Sequence, residues 1–105
     1  MSELFGLHGR LPAQPGQGDE LEAILLEAAR ALESDDDCLL YVVSRQPDEP
    51  DAVWVTEAWR SRDAHRASLE EDEVRALIQR AMPLIAELPE RTIELRPVGG
   101  KGLPS

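Results

Sequence analysis

At 105 residues, 42% of them apolar and 30% charged, the chain is long enough for one small domain with a single modest core and too short for two. Its formal net charge of −10 excludes the basic stripe that a nucleic-acid backbone requires and opposes docking on an anionic membrane. That charge suits a protein that meets small molecules or its own copies.

No apolar run approaches a membrane span. The opening "MSELFGLHGR" lacks the basic start and long apolar stretch of a signal peptide. Cys38 is the single cysteine, so no internal disulfide is available. These features together predict a cytoplasmic, reducing setting with neither membrane nor nucleic-acid partner. The acidic flank "SDDDC" disfavours a Cys38 thiolate, and a half-buried strand cysteine is expected.

In chain order, "ELFGLHGRL" (3–11) alternates loosely and reads as a strand, ended by the Pro- and Gly-dense "PAQPGQGDE". Leu21, Ile24, Leu25, Ala28, Ala29 and Leu32 then fall on one helical face, with Asp19 as the expected cap. "CLLYVVS" (38–44) is the second strand. "RQPDEPDA" reads as a long polar loop, and "VWVTEAW" (53–59) as the strand returning from it. "SRDAHRASL" (61–69) is a short helix capped by Ser61 or Asp63. The next helix starts at an Asp72 cap, carries Val74, Leu77, Ile78 and Ala81 on one face, and is kinked or ended by Pro83. "RTIELRPV" (91–98) is the last strand. Residues 1–98 thus form the domain, and "GGKGLPS" (99–105) is a loose C-terminal tail.

The order β-α-β-β-α-β predicts an α+β fold, a ferredoxin-like antiparallel sheet with helices on one face. "LLYVV" is apolar on both of its faces, and "VWV" places Val53 and Val55 opposite Trp54. Helices of this topology cover one face only. The other would be a large exposed apolar patch, so a homodimer packed sheet against sheet is expected.

A strand reading hydrophobic-x-E-x-W, followed by a polar turn and a helix with an early Ala-His pair, is present as "VTEAWRSRDAH". This pattern, in this element order, resembles the antibiotic biosynthesis monooxygenase (ABM) superfamily. The ending "ELRPVGGKG" is similar to a subgroup assigned as quinol monooxygenases. The resemblance covers nearly the whole chain and implies a dimeric α+β barrel. It also implies oxygenation of an electron-rich phenolic or polycyclic aromatic substrate by O2 with no flavin, metal or other cofactor. A non-catalytic small-molecule-binding or accessory homodimer of the same fold is the alternative.

Under that resemblance Trp59 borders the substrate cavity; on packing grounds alone it is core. Glu57 shares its side of the strand, as a base or an ion-pair partner. His65, in the first turn of a helix whose dipole favours neutral imidazole, is one candidate base, and His8 on the first strand is the other. Tyr41 and Arg96, both on strands, are candidate donors to a phenolate. Polyphenol oxygenases of the family carry an Asn four residues before the strand Trp; Val55 stands there, and the sequence contains no Asn. Haem-degrading relatives place a Trp on the following helix and a ligating His about ten residues later, along the same face. The resemblance puts Ser68 and Ile78 at those positions. Isoleucine cannot ligate iron, which disfavours haem degradation, and Ser68 joins the substrate-binding candidates. Two scattered His and one Cys give no metal-site spacing, and "GGKG" lacks the phosphate-loop pattern.

Overall fold

The computed structural model describes residues 3–86 and 92–103. Strand β1 (Phe5–Pro12) is followed by helix α1 (Gly18–Ala31), then by strands β2 (Cys38–Gln46) and β3 (Glu49–Trp59). Helices α2 (Arg62–Ser68) and α3 (Asp72–Ala81) come next, and strand β4 (Ile93–Leu95) closes the domain. The strands form one antiparallel sheet in the order β2-β3-β1-β4, the expected ferredoxin-like arrangement.

Register decides which residues see the helices. Across β1 and β3, Phe5 faces Trp59, Leu7 faces Glu57, Gly9 faces Val55 and Leu11 faces Val53. Across β2, Tyr41 faces Glu57 and Val43 faces Val55. Because side chains alternate, these residues line the helix-covered face. Leu21, Ile24 and Ala28 of α1 and Leu77 and Ala81 of α3 pack there with Val53 and Ala13. Phe5, Trp59, Leu32 and Val74 make a second cluster toward the α2 end.

Four local expectations change. The long polar loop after β2 is a tight hairpin, because β2 extends to Gln46 and β3 starts at Glu49. Pro50 is tolerated inside β3 because the register with β2 shifts between Arg45 and Gln46, where a missing N–H breaks no ladder bond. Asp19 is not the cap of α1. It lies within the first turn and points out to Arg45 Nη1 at 3.0 Å. The carboxylate of Asp51, brought in from β3, instead accepts the N–H groups of Gly16 at 3.2 Å and Gly18 at 3.3 Å. Asp72 likewise falls inside α3, after an N-cap at Glu71 that makes no side-chain bond. The last strand is only Ile93–Leu95; its expected start at Arg91 lies outside the described residues. Ser61 does cap α2, its Oγ accepting the Ala64 N–H at 3.0 Å. After α3 the chain tightens into a 3-10 turn at Met82–Leu84 around Pro83.

None of the described helices covers the far face of the sheet. Leu40, Val42, Ile93 and Leu95 stand on it, between 40% and 54% exposed. No described helix is long and apolar enough to cross a membrane.

Candidate active site

A cavity of about 180 Å³ opens between the helix-covered face and the three helices. Its floor is Tyr41 from β2 with Glu57 and Trp59 from β3. Its walls are Ile24, Leu25 and Ala28 of α1, His65 and Ser68 of α2, and Val74, Leu77 and Ala81 of α3. Leu69 and Ile78 also line it, and each is 39% exposed, so they form the rim. Among the described residues the lining is apolar apart from five side chains, all at the sheet floor or on α2: Tyr41, Glu57, Trp59, His65 and Ser68.

Those five converge for reasons of chain geometry. Glu57 and Trp59 are two residues apart on one strand and therefore project to the same side. Trp59 is 1% exposed, and its Nε1–H donates to Glu57 Oε1 at 3.0 Å. Helix α2 starts immediately after β3, at the Ser61 cap, and folds His65 back over the same end of the sheet. The His65 Nε2 lies 3.8 Å from Glu57 Oε1. The imidazole meets the Trp59 ring edge-on, centroids 5.5 Å apart, and the tilted Phe5 ring at 5.2 Å.

Burial sets the protonation of the group. It pushes the Glu57 carboxyl above the ordinary carboxylate range, although the Trp59 hydrogen bond works the other way. Burial also lowers the His65 pKa, and the nearby Arg62 guanidinium lowers it further. The imidazole is thus biased toward its neutral form, by desolvation and a neighbouring cation rather than by a helix end. Tyr41 is pushed well above the ordinary phenol value, chiefly by burial and then by Glu57. Cys38 is half-buried on the strand, as its flank suggests. Its thiol is raised to about 11 by burial and then by Glu57, and it takes no part in the cavity.

Two candidates are placed elsewhere. His8 does not face inward: Phe5 and Leu7 do, and alternation turns His8 to the open face. There its Nδ1 lies 2.9 Å from Thr56 Oγ1 and its ring stacks at 5.2 Å on Trp54. The sheet separates it from the cavity. Arg96 is also not at the cavity; it is exposed beyond β4 and pairs with Glu3 at 3.0 Å. Ser68 is buried on the cavity wall, but its hydroxyl donates to the His65 carbonyl at 2.6 Å, leaving it only as an acceptor toward the cavity.

Sequence reasoning missed Arg62. Its guanidinium lies 4.7 Å from the centroid of the Phe5 ring and bonds both carboxylate oxygens of Glu94, at 2.7 and 2.5 Å. It ties α2 to β4 behind His65. The available signal was its place three residues before His65 on one helix, a neighbouring position on that surface. At the hydrophobic rim Leu69 was equally unmarked, whereas the sequence places Ile78 on the apolar helix face and at the haem relatives' ligand position. Val55, at the position of the family's Asn, is buried and lines a smaller cleft of about 110 Å³. Leu25, Tyr41 and Glu57 line both spaces and so divide them. No group of three or more His, Cys, Asp or Glu side chains among the described residues is gathered to hold a metal ion.

Comparison with known proteins agrees with this architecture. A candidate antibiotic biosynthesis monooxygenase from Chloroflexus aurantiacus J-10-fl is 45% identical and superposes with a TM-score of 0.84, covering 92% of this chain and 95% of that one. A second candidate monooxygenase of this kind, from Caulobacter crescentus CB15, is 25% identical with a TM-score of 0.83, over 93% of this chain and 92% of its own. A protein of unknown function from Nitrosomonas europaea shares the fold at 22% identity, with a TM-score of 0.78 over 98% and 96% of the two chains. A comparison with curated proteins finds no match. The sequence model of the family described as antibiotic biosynthesis monooxygenase matches residues 4–80, most of the domain, and the chain belongs to that family.

Proposed function

We propose that the protein is a cofactor-independent monooxygenase that oxidises a quinol or related phenolic molecule with O2, acting as a homodimer. The observation that carries this reading is the neutral-biased His65 facing Glu57 across 3.8 Å in a Trp-walled apolar cavity. A phenolic ring lying against Trp59 gives its proton to the His65 Nε2. The imidazolium so formed is stabilised by the Glu57 carboxylate. The phenolate passes an electron to O2 directly, and the two radicals combine at the ring carbon. One oxygen atom stays on the ring, the other leaves as water, and all four electrons come from the quinol, which ends as a hydroxyquinone. The protein's part is to exclude water, orient the ring and hold the proton.

The exposed apolar residues of the open sheet face support the dimer, since a second copy packed there removes them from water. A non-catalytic binding dimer remains the second reading. It is favoured by Val55, which offers no amide where oxygenases of the family carry Asn.

The test is oxygen uptake by metal-stripped protein with hydroquinones, corrected for autoxidation. Wild type is compared with His65→Ala and Trp59→Phe, and with His8→Ala as a variant outside the cavity. Saturable uptake that drops at least about a hundredfold in His65→Ala and persists in His8→Ala is expected. Uptake no faster than autoxidation refutes the oxygenase and leaves the binding dimer.

A further inference from the structure

The size and charge of the cavity restrict what it accepts, if the site is the phenol site proposed above. An engineered cavity of about 150 Å³ lined by apolar side chains holds one benzene molecule. The present cavity, at about 180 Å³, has room for one ring and its hydroxyl groups. Pockets for larger ligands begin at about 300 Å³. The adjoining cleft of about 110 Å³ adds no length, because the side chains of Leu25, Tyr41 and Glu57 stand between the two.

The polar groups narrow the choice further. Glu57 and one ring nitrogen of the neutral-biased His65 accept hydrogen bonds, and the Ser68 hydroxyl has donated its proton to a carbonyl. The Tyr41 hydroxyl, which keeps its proton, can both donate and accept. Among the described residues, no Lys or Arg lines the cavity. A ring presenting hydroxyl donors is matched by these acceptors. A ring carrying a carboxylate meets Glu57 with no cation among the described lining residues to offset the repulsion and desolvation.

We infer that the cavity takes a single uncharged phenolic ring and turns away fused-ring and carboxylate-bearing compounds, with Ile78 on the α3 side of the rim setting the size limit. Ile78 is half-exposed, so shortening it widens the mouth without hollowing the core. Leu69 faces the same rim from the α2 side.

The test is anaerobic titration calorimetry with phenol, naphthol, anthrol and hydroxybenzoate, using wild type, Ile78→Ala and Glu57→Gln. Phenol is expected to bind wild type at least tenfold tighter than naphthol, anthrol or hydroxybenzoate. Ile78→Ala is expected to close the phenol–naphthol gap to less than threefold, with unchanged circular dichroism. Glu57→Gln is expected to admit hydroxybenzoate while leaving the naphthol penalty in place. Equal or tighter binding of naphthol or anthrol to wild type, or no binding of phenol, overturns the inference. Failure of the oxygenase reading is separate: selective phenol binding with no oxygen uptake upholds the size limit and removes the chemistry. Rapid uptake with fused-ring quinols does the reverse.

Discussion

Replacing Trp59 by Phe takes an N–H donor away from a carboxylate that has already lost most of its water. Trp59 is almost wholly buried, and its Nε1 holds Glu57 at 3.0 Å. A hydrogen bond to a charged group contributes about 1.5–3 kcal/mol, and the space left by the smaller ring costs about 1 kcal/mol. The sum, roughly 2.5–4 kcal/mol, is a large share of a small domain's stability and predicts a fall in Tm of more than about 10 °C. A double-mutant cycle with Glu57→Leu isolates the bond, because the packing loss is common to both backgrounds. Urea unfolding is followed at one fixed protein concentration, since association would make the midpoint concentration-dependent. The expected coupling is about 1.5–3 kcal/mol. A coupling below about 0.5 kcal/mol would show that Trp59 does not hold Glu57, and the account of the cavity floor would fail.

Three further outcomes are expected. Burial raises the Glu57 pKa, so the folded protein keeps a proton that the unfolded chain releases. The stability this confers is complete below the unfolded value and is lost as pH rises through the folded one. Glu57→Gln should therefore gain on wild type as pH rises above the ordinary carboxylate value of about 4 in urea unfolding; a pH-independent difference would refute it. Arg62→Gln removes the cation that depresses His65, leaving burial and the opposing Glu57 as its neighbours. The acid limb of the oxygen-uptake profile should move to higher pH, and an unmoved limb would exclude His65 as the base. Val42→Lys puts a charge on the open sheet face, 42% exposed in the isolated chain. Light scattering should show loss of the proposed dimer with unchanged circular dichroism, and an unchanged mass would refute an interface on this face.

How much of this was legible in the sequence follows from the range of each interaction. The element order and the inward side of β3 depend on hydrophobic period alone, and "VWVTEAW" discloses that Val53, Val55, Glu57 and Trp59 share a face. The Ser61 cap is equally local. His8 was misplaced because its strand is weakly patterned, with Gly6 and Gly9 giving no sign of which face is inside. Arg96 was misplaced because its partner, Glu3, is distant in the chain. The caps of α1 and α3 differ for related reasons. Asp51 comes to α1 from another strand, and an acidic first turn at Asp72 and Glu73 looks like a cap when only composition is read. The cavity's rim is a meeting of Leu69 and Ile78 from two helices, which no single stretch of chain describes.

The alternation along β3 has a consequence for how such a chain can change. Glu57 and Trp59 line the cavity, while Trp54 and Thr56, earlier on the same strand, face the open side of the sheet. Substitution at odd positions reshapes the cavity and leaves the open face unchanged, and substitution at even positions does the reverse, so the two surfaces vary independently along one strand. Insertion or deletion is another matter. One residue added in the middle of β3 would carry the cavity residues beyond it to the open face and the open-face residues into the core. The strand is therefore permissive to replacement and intolerant of length change, except at the register shift beside Arg45, where the ladder with β2 is already broken.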